Sequence, residues 1–89
     1  MTWISDLSEQ IARSSGIEPS ALALTEADAD TLLRLAGLAA HKSGERTNAP
    51  LLCHVLGRAV ARGLPLDDLA RLVDAALGTE STGDGDGAV

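Results

Sequence analysis

Apolar residues along this chain recur in steps of three and four, and four such stretches are set apart by Gly, Pro, Thr and Asn. In the first, Trp3, Ile4, Leu7 and Ile11 share one face, Thr2 can cap and Gly16 can stop the helix. A helix is therefore predicted over about residues 3–15. The segment 17–24, IEPSALAL, holds Pro19 and reads as an irregular connection. Ser20 to Leu22 can form a single turn there, with Ile17, Leu22 and Leu24 tucked into the core. Thr25 then opens a second helix with Asp28 three residues on, a capping-box arrangement, and Glu26, Asp28 and Asp30 suit the positive end of the helix dipole. Leu32, Leu33, Ala36 and Ala40 give its apolar face, so the helix should run over about residues 26–41 and stop near Gly44.

Asn48 and Pro50 announce a third helix, because a proline in the first turn removes an N–H that has no intrahelical acceptor. It should end at Gly63. Pro65, Asp67 and Asp68 open a fourth, with Leu66, Leu69, Val73, Ala76 and Leu77 inward and Gly78 closing it. No stretch reads as a strand.

The third helix carries the strongest expectation. Its i, i+4 rows are Ala49, Cys53, Gly57 and Ala61; Leu52, Leu56 and Val60; Leu51, Val55 and Ala59; and one polar row, Pro50, His54, Arg58 and Arg62. A helix apolar on three sides of four is expected to be surrounded by protein. The fold class predicted is all-α: a small four-helix bundle with a central apolar third helix over residues 1–78, and a disordered acidic Gly-rich tail over 79–89. Gly37 and Gly57 inside helices each cost about 1 kcal/mol relative to Ala. That cost suggests a close antiparallel approach of helices two and three at these glycines, or else a homodimer seam.

Composition narrows the function. The chain has 89 residues, enough for one small domain, and is 45% hydrophobic with Trp3 its one aromatic, so the core must be aliphatic. Net charge is −6, from 13 acidic and 7 basic residues. Without clustered Lys and Arg the chain is poorly suited to nucleic acid. One cysteine, Cys53, excludes an intrachain disulfide and a multi-Cys metal site. No signal peptide is evident, and no apolar run reaches the ~18 to 20 residues of a membrane span. A cytoplasmic location is expected.

Catalytic constellations are missing too. Cys53 and His54 are neighbours on a helix and diverge by about 100°. Asp67 and Asp68 are consecutive at a helix start, where capping and the dipole account for them. The acidic starts of helices two and four offer Arg58 and Arg62 ion-pair partners. No phosphate-cradling glycine motif occurs. The DGDG of the tail resembles a fragment of a calcium loop but lacks the other ligand positions. No cofactor and no metal is expected, and the chain is not expected to be an enzyme. One loop remains, HKSGERTNAP. His41, Lys42, Arg46 and Asn48 there could hold a small anionic or phosphate-bearing ligand over the N–H groups opening helix three. The first reading, however, is a plain connector, with Arg46 bonded to the carbonyls ending helix two, Glu45 as an added partner and His41 half-buried behind it.

Trp3 and Ile4 in an amphipathic first helix, then Ala39, Ala40 and His41, Arg46, the run Ala49, Pro50 and Leu51, and Gly57, together form a pattern. It resembles a family of short uncharacterised helical proteins of high-GC bacteria, found alone or attached to molybdenum cofactor guanylyltransferases. The resemblance spans roughly residues 2–77; the acidic tail departs from it. It implies no catalytic residue. It implies an accessory or docking role beside an enzyme of molybdopterin-guanine dinucleotide biosynthesis, whose glycine-rich nucleotide loop this chain lacks. A protein partner is expected, with a homodimer as a further possibility.

Overall fold

The computed structural model describes residues 2–78. Over these the chain is all-α: α1 (Thr2–Ser15), a short 3-10 turn (Pro19–Leu22), α2 (Glu26–Ser43), α3 (Asn48–Ala61) and α4 (Leu66–Leu77), with no strand among the described residues. The expectations for the tail and its DGDG fall on residues 79–89, outside the described residues.

The punctuation acts as its chemistry requires. Asp28 N–H donates to Thr25 Oγ1 at 3.0 Å and Thr25 N–H donates back to Asp28 Oδ2 at 3.4 Å, a reciprocal capping box. At the end of α3, Gly63 adopts φ 104°, which lets Leu64 N–H reach Ala59 O at 3.3 Å and Gly63 N–H reach Val60 O at 2.9 Å.

The described residues divide into two compact units, with the boundary between Asp30 and Thr31. In the first, the 3-10 turn packs on α1. The side of α1 it meets is not the apolar one. Ala12 is fully buried, and Ser5 and Ser8 share a shallow concavity with Pro19, Ser20 and Leu24. Trp3 is 76% exposed, and Ile4, Leu7 and Ile11 are exposed with it. Ile17 is exposed rather than tucked in, whereas Leu22 and Leu24 are half-buried.

In the second unit the core is a cluster of Leu35 from α2, Leu56 from α3, and Leu69 and Ala70 from α4, with Leu32, Leu52, Ala59 and Val73 packed against it. Leu35 is the one large side chain that is completely enclosed among the described residues. Every buried residue described is apolar, as expected where no polar group has a partner to compensate desolvation. On the surface Arg34 of α2 grips Asp74 of α4 through two bonds, 2.9 and 3.1 Å, a bidentate fork that ties the two helices. That bond to Asp74 raises the Arg34 pKa above its ordinary value.

Two expectations are corrected here. Helix three is not the central element: only Leu56 of α3 is buried, while Leu51, Val55 and Val60 are exposed. The most enclosed side chain is Leu35 of α2, and α4 buries Leu69 and Ala70 beside it. Apolar content on a helix need not be covered within the same chain, and in this unit α3 has just one covered side. The glycine approach also fails. A methyl group placed at Gly37 or at Gly57 would meet nothing within 4 Å, so no backbone lies close to either.

Candidate functional site

The face of α3 left uncovered is part of a groove. Successive turns place Leu51 and Val55 on one line of α3, with Leu52 a step around the helix. Ala39 of α2 forms another part of the lining, and Val73, Ala76 and Leu77 of α4 a third. Lys42, Ser43 and Asn48 stand where α2 ends and α3 begins, so one end of the groove is polar. The concavity measures about 460 Å³. Leu51 and Val55 are 61% and 59% exposed. Apolar side chains lined up in a concave surface with a polar end differ from isolated surface leucines, which call for no explanation.

Of the four residues the sequence points to, this geometry brings two together. Lys42 and Asn48 belong to the groove; His41 and Arg46 are exposed and do not line it. Lys42 sits in the last turn of α2, where the helix dipole favours positive charge. Among the described residues neither Lys42 nor Arg46 makes an ion pair, and the Arg46 side chain makes no hydrogen bond to Glu45 or to the carbonyls ending α2. Those positions are served locally. Gly44 N–H donates to Ala40 O at 3.0 Å, and the Ser43 hydroxyl accepts from Glu45 N–H and donates to Glu45 O, both at 3.2 Å.

The start of α3 is less open to an anion than its sequence suggests. Thr47, in helical conformation with no side-chain cap, precedes it, rather than Asn48 capping it. Asn48 N–H donates to Glu45 O and Ala49 N–H to Arg46 O, each at 3.1 Å. The third position is Pro50, which has no N–H. The amides that would greet an anion at a free helix N-terminus are therefore engaged or missing.

The remaining cationic row, His54, Arg58 and Arg62, is exposed along α3. The acidic starts of α2 and α4 expected to pair with it do not: Asp68 pairs with Arg71, and Asp28 bonds Thr25 in the capping box. His54 and Arg58 flank the Leu51–Val55 line on its solvent side, with no ion pair among the described residues. Cys53 is a half-buried free thiol. Among the described residues no group of three or more His, Cys, Asp or Glu could hold a metal ion, and no helix is long and apolar enough to cross a membrane.

The signal that could have found the groove was in the sequence. The Leu51, Val55 and Ala59 row is one of three apolar rows on a helix of fourteen residues, more apolar surface than the single side its neighbours cover. No family model, no curated protein and no solved structure matches this chain.

Proposed function

We propose that this chain is a small accessory module without catalytic activity of its own, which docks onto another protein through the groove lined by α2, α3 and α4. The observation that carries this reading is the exposure of Leu51 and Val55 in a concave apolar surface with Lys42 at one end. An apolar interior with a polar rim is the composition of a protein-recognition surface, and a groove between helices accepts the apolar face of an amphipathic helix. Its lining is mostly apolar, and the hydroxyl it includes, Ser43, is bonded to the Glu45 backbone, which favours binding as its use. The resemblance carried by Trp3, Ile4, His41, Arg46, Pro50 and Gly57 supplies the first partner to try, a molybdenum cofactor guanylyltransferase.

Titration calorimetry of the chain with that enzyme tests the reading. Binding that weakens at least about tenfold in Val55→Glu, with the helical content of the variant unchanged, is the expected result. Binding that Val55→Glu leaves untouched removes the groove from the interaction. The alternative reading, a phosphate-bearing ligand over His41, Lys42, Arg46 and Asn48, has the unpaired Lys42 and Arg46 in its favour and the engaged amides of Asn48 and Ala49 against it. A rise in melting temperature with GTP that vanishes in Arg46→Ala would support it.

A further inference from the structure

Each compact unit leaves one apolar surface uncovered by its own residues, and the two complement each other. One is the α1 stripe of Trp3, Leu7 and Ile11, with Ile4 at its edge, all exposed while the 3-10 turn packs on the opposite side of α1. The other is the groove containing Leu51, Val55 and Leu77. Their lengths agree. At 1.5 Å per residue the stripe from Trp3 to Ile11 runs about 12 Å, and α3 from Asn48 to Val55 runs about 10 Å.

The stretches of chain that bear them carry opposite formal charge as well. Residues 1–30 carry six acidic side chains (Asp6, Glu9, Glu18, Glu26, Asp28, Asp30) against the single cation Arg13. Residues 31–78 carry six basic side chains (Arg34, Lys42, Arg46, Arg58, Arg62, Arg71) against four acidic ones, Glu45, Asp67, Asp68 and Asp74. Asp6 borders the stripe, one helical step from Trp3, and has no ion pair among the described residues. Lys42 lines the groove and Arg58 lies one turn beyond Val55 on the exposed side of α3; neither has an ion pair among the described residues. Polar residues placed this way set orientation and speed encounter, while the apolar centre supplies affinity.

We infer that the groove receives α1 of a second copy of the chain, Trp3 entering the apolar lining and Asp6 facing the cationic rim. The inference rests on reading the groove as a protein-docking surface and names one occupant for it. Reciprocal exchange, with each α1 in the other copy's groove, closes a two-fold dimer instead of an open filament. The same groove then cannot hold a second protein, so self-association and partner binding compete.

Trp3, the chain's one tryptophan, reports the event directly. The full chain is diluted from millimolar to micromolar while mass is followed by light scattering and Trp3 by its emission. The expected result is a particle of twice the chain's mass with blue-shifted emission at the high end. It should dissociate to an exposed-indole monomer on dilution, at a higher concentration when salt is raised. Val55→Glu places an unpaired charge in the lining and should raise the dissociation constant by about a hundredfold. Trp3→Ala should also be monomeric.

Mixing the two variants is decisive. Val55→Glu keeps Trp3, and Trp3→Ala keeps the groove but carries no tryptophan, so one intact interface forms and the emission of the mixture shifts to the blue. A wild-type chain that stays monomeric throughout overturns the inference, as does a mixture whose emission matches Val55→Glu alone. Either result leaves the docking reading standing if the guanylyltransferase still binds in a Val55-dependent way; the docking reading fails on that measurement.

Discussion

Replacing Leu35 and Leu51 separately by alanine asks which helix is the centre of the second unit. Both are leucines on helices with apolar neighbours, and a row-by-row reading of the sequence would place Leu51, on the more apolar helix, at least as deep. In the structure Leu35 is completely enclosed and Leu51 is 61% exposed. Truncating an enclosed leucine loses its transfer free energy and leaves a cavity, about 2–5 kcal/mol, and the surrounding cluster of Leu56, Leu69 and Ala70 offers little room for collapse. Full burial of a leucine contributes roughly 2 kcal/mol, so Leu51, about two-fifths covered, loses less than about 1 kcal/mol and leaves no cavity. Urea unfolding followed by far-ultraviolet circular dichroism at low protein concentration measures both. A domain of this size has only a few kcal/mol in hand, so Leu35→Ala should shift the midpoint drastically or unfold the chain outright, while Leu51→Ala stays near wild type. Equal losses at the two positions, or a larger loss at Leu51, would refute the reasoning.

Two further outcomes follow from the same geometry. Gly57→Ala should stabilise the chain by about 0.5–1 kcal/mol, because the added methyl meets nothing within 4 Å and a helix-interior glycine is entropically costly; destabilisation in the same urea experiment would mean that a backbone does pass close to Gly57. A double-mutant cycle on Arg34→Ala and Asp74→Ala should give a coupling below about 1 kcal/mol that shrinks with added salt, since Arg34 is 52% exposed and solvent screens it despite the bidentate geometry.

Where the sequence carries local chemistry, it was readable. Thr25 and Asp28 announce the start of α2, Gly16, Gly63 and Gly78 mark ends, and Pro19 marks the 3-10 turn, because capping and backbone preference depend on residues only a few positions apart. Which faces would be covered was not readable that way. The apolar rows of α3 and the stripe of α1 look alike whether they meet the same chain or another protein. Periodicity reports only that a face is apolar. Leu35 was missed as the centre for a related reason: α2, with Arg34, Gly37 and His41 among its leucines and alanines, has a more mixed pattern than α3, so its enclosure depends on α3 and α4 arriving from far along the chain. In the loop, Lys42 and Asn48 line the same groove, since one ends α2 and the other begins α3. That Asn48 and Ala49 spend their N–H groups on the turn carbonyls depends on the backbone path through Gly44 to Thr47, and no residue there signals it.

The openness of the Leu51–Val55 face is what every functional statement here depends on. It can be measured on a methyl-labelled, dilute sample by the relaxation that a soluble paramagnetic agent induces in each leucine and valine. The account predicts strong relaxation at Leu51 and Val55 and protection at Leu35 and Leu56. Protection of Leu51 and Val55 to the level of Leu35 in the monomer would contradict it.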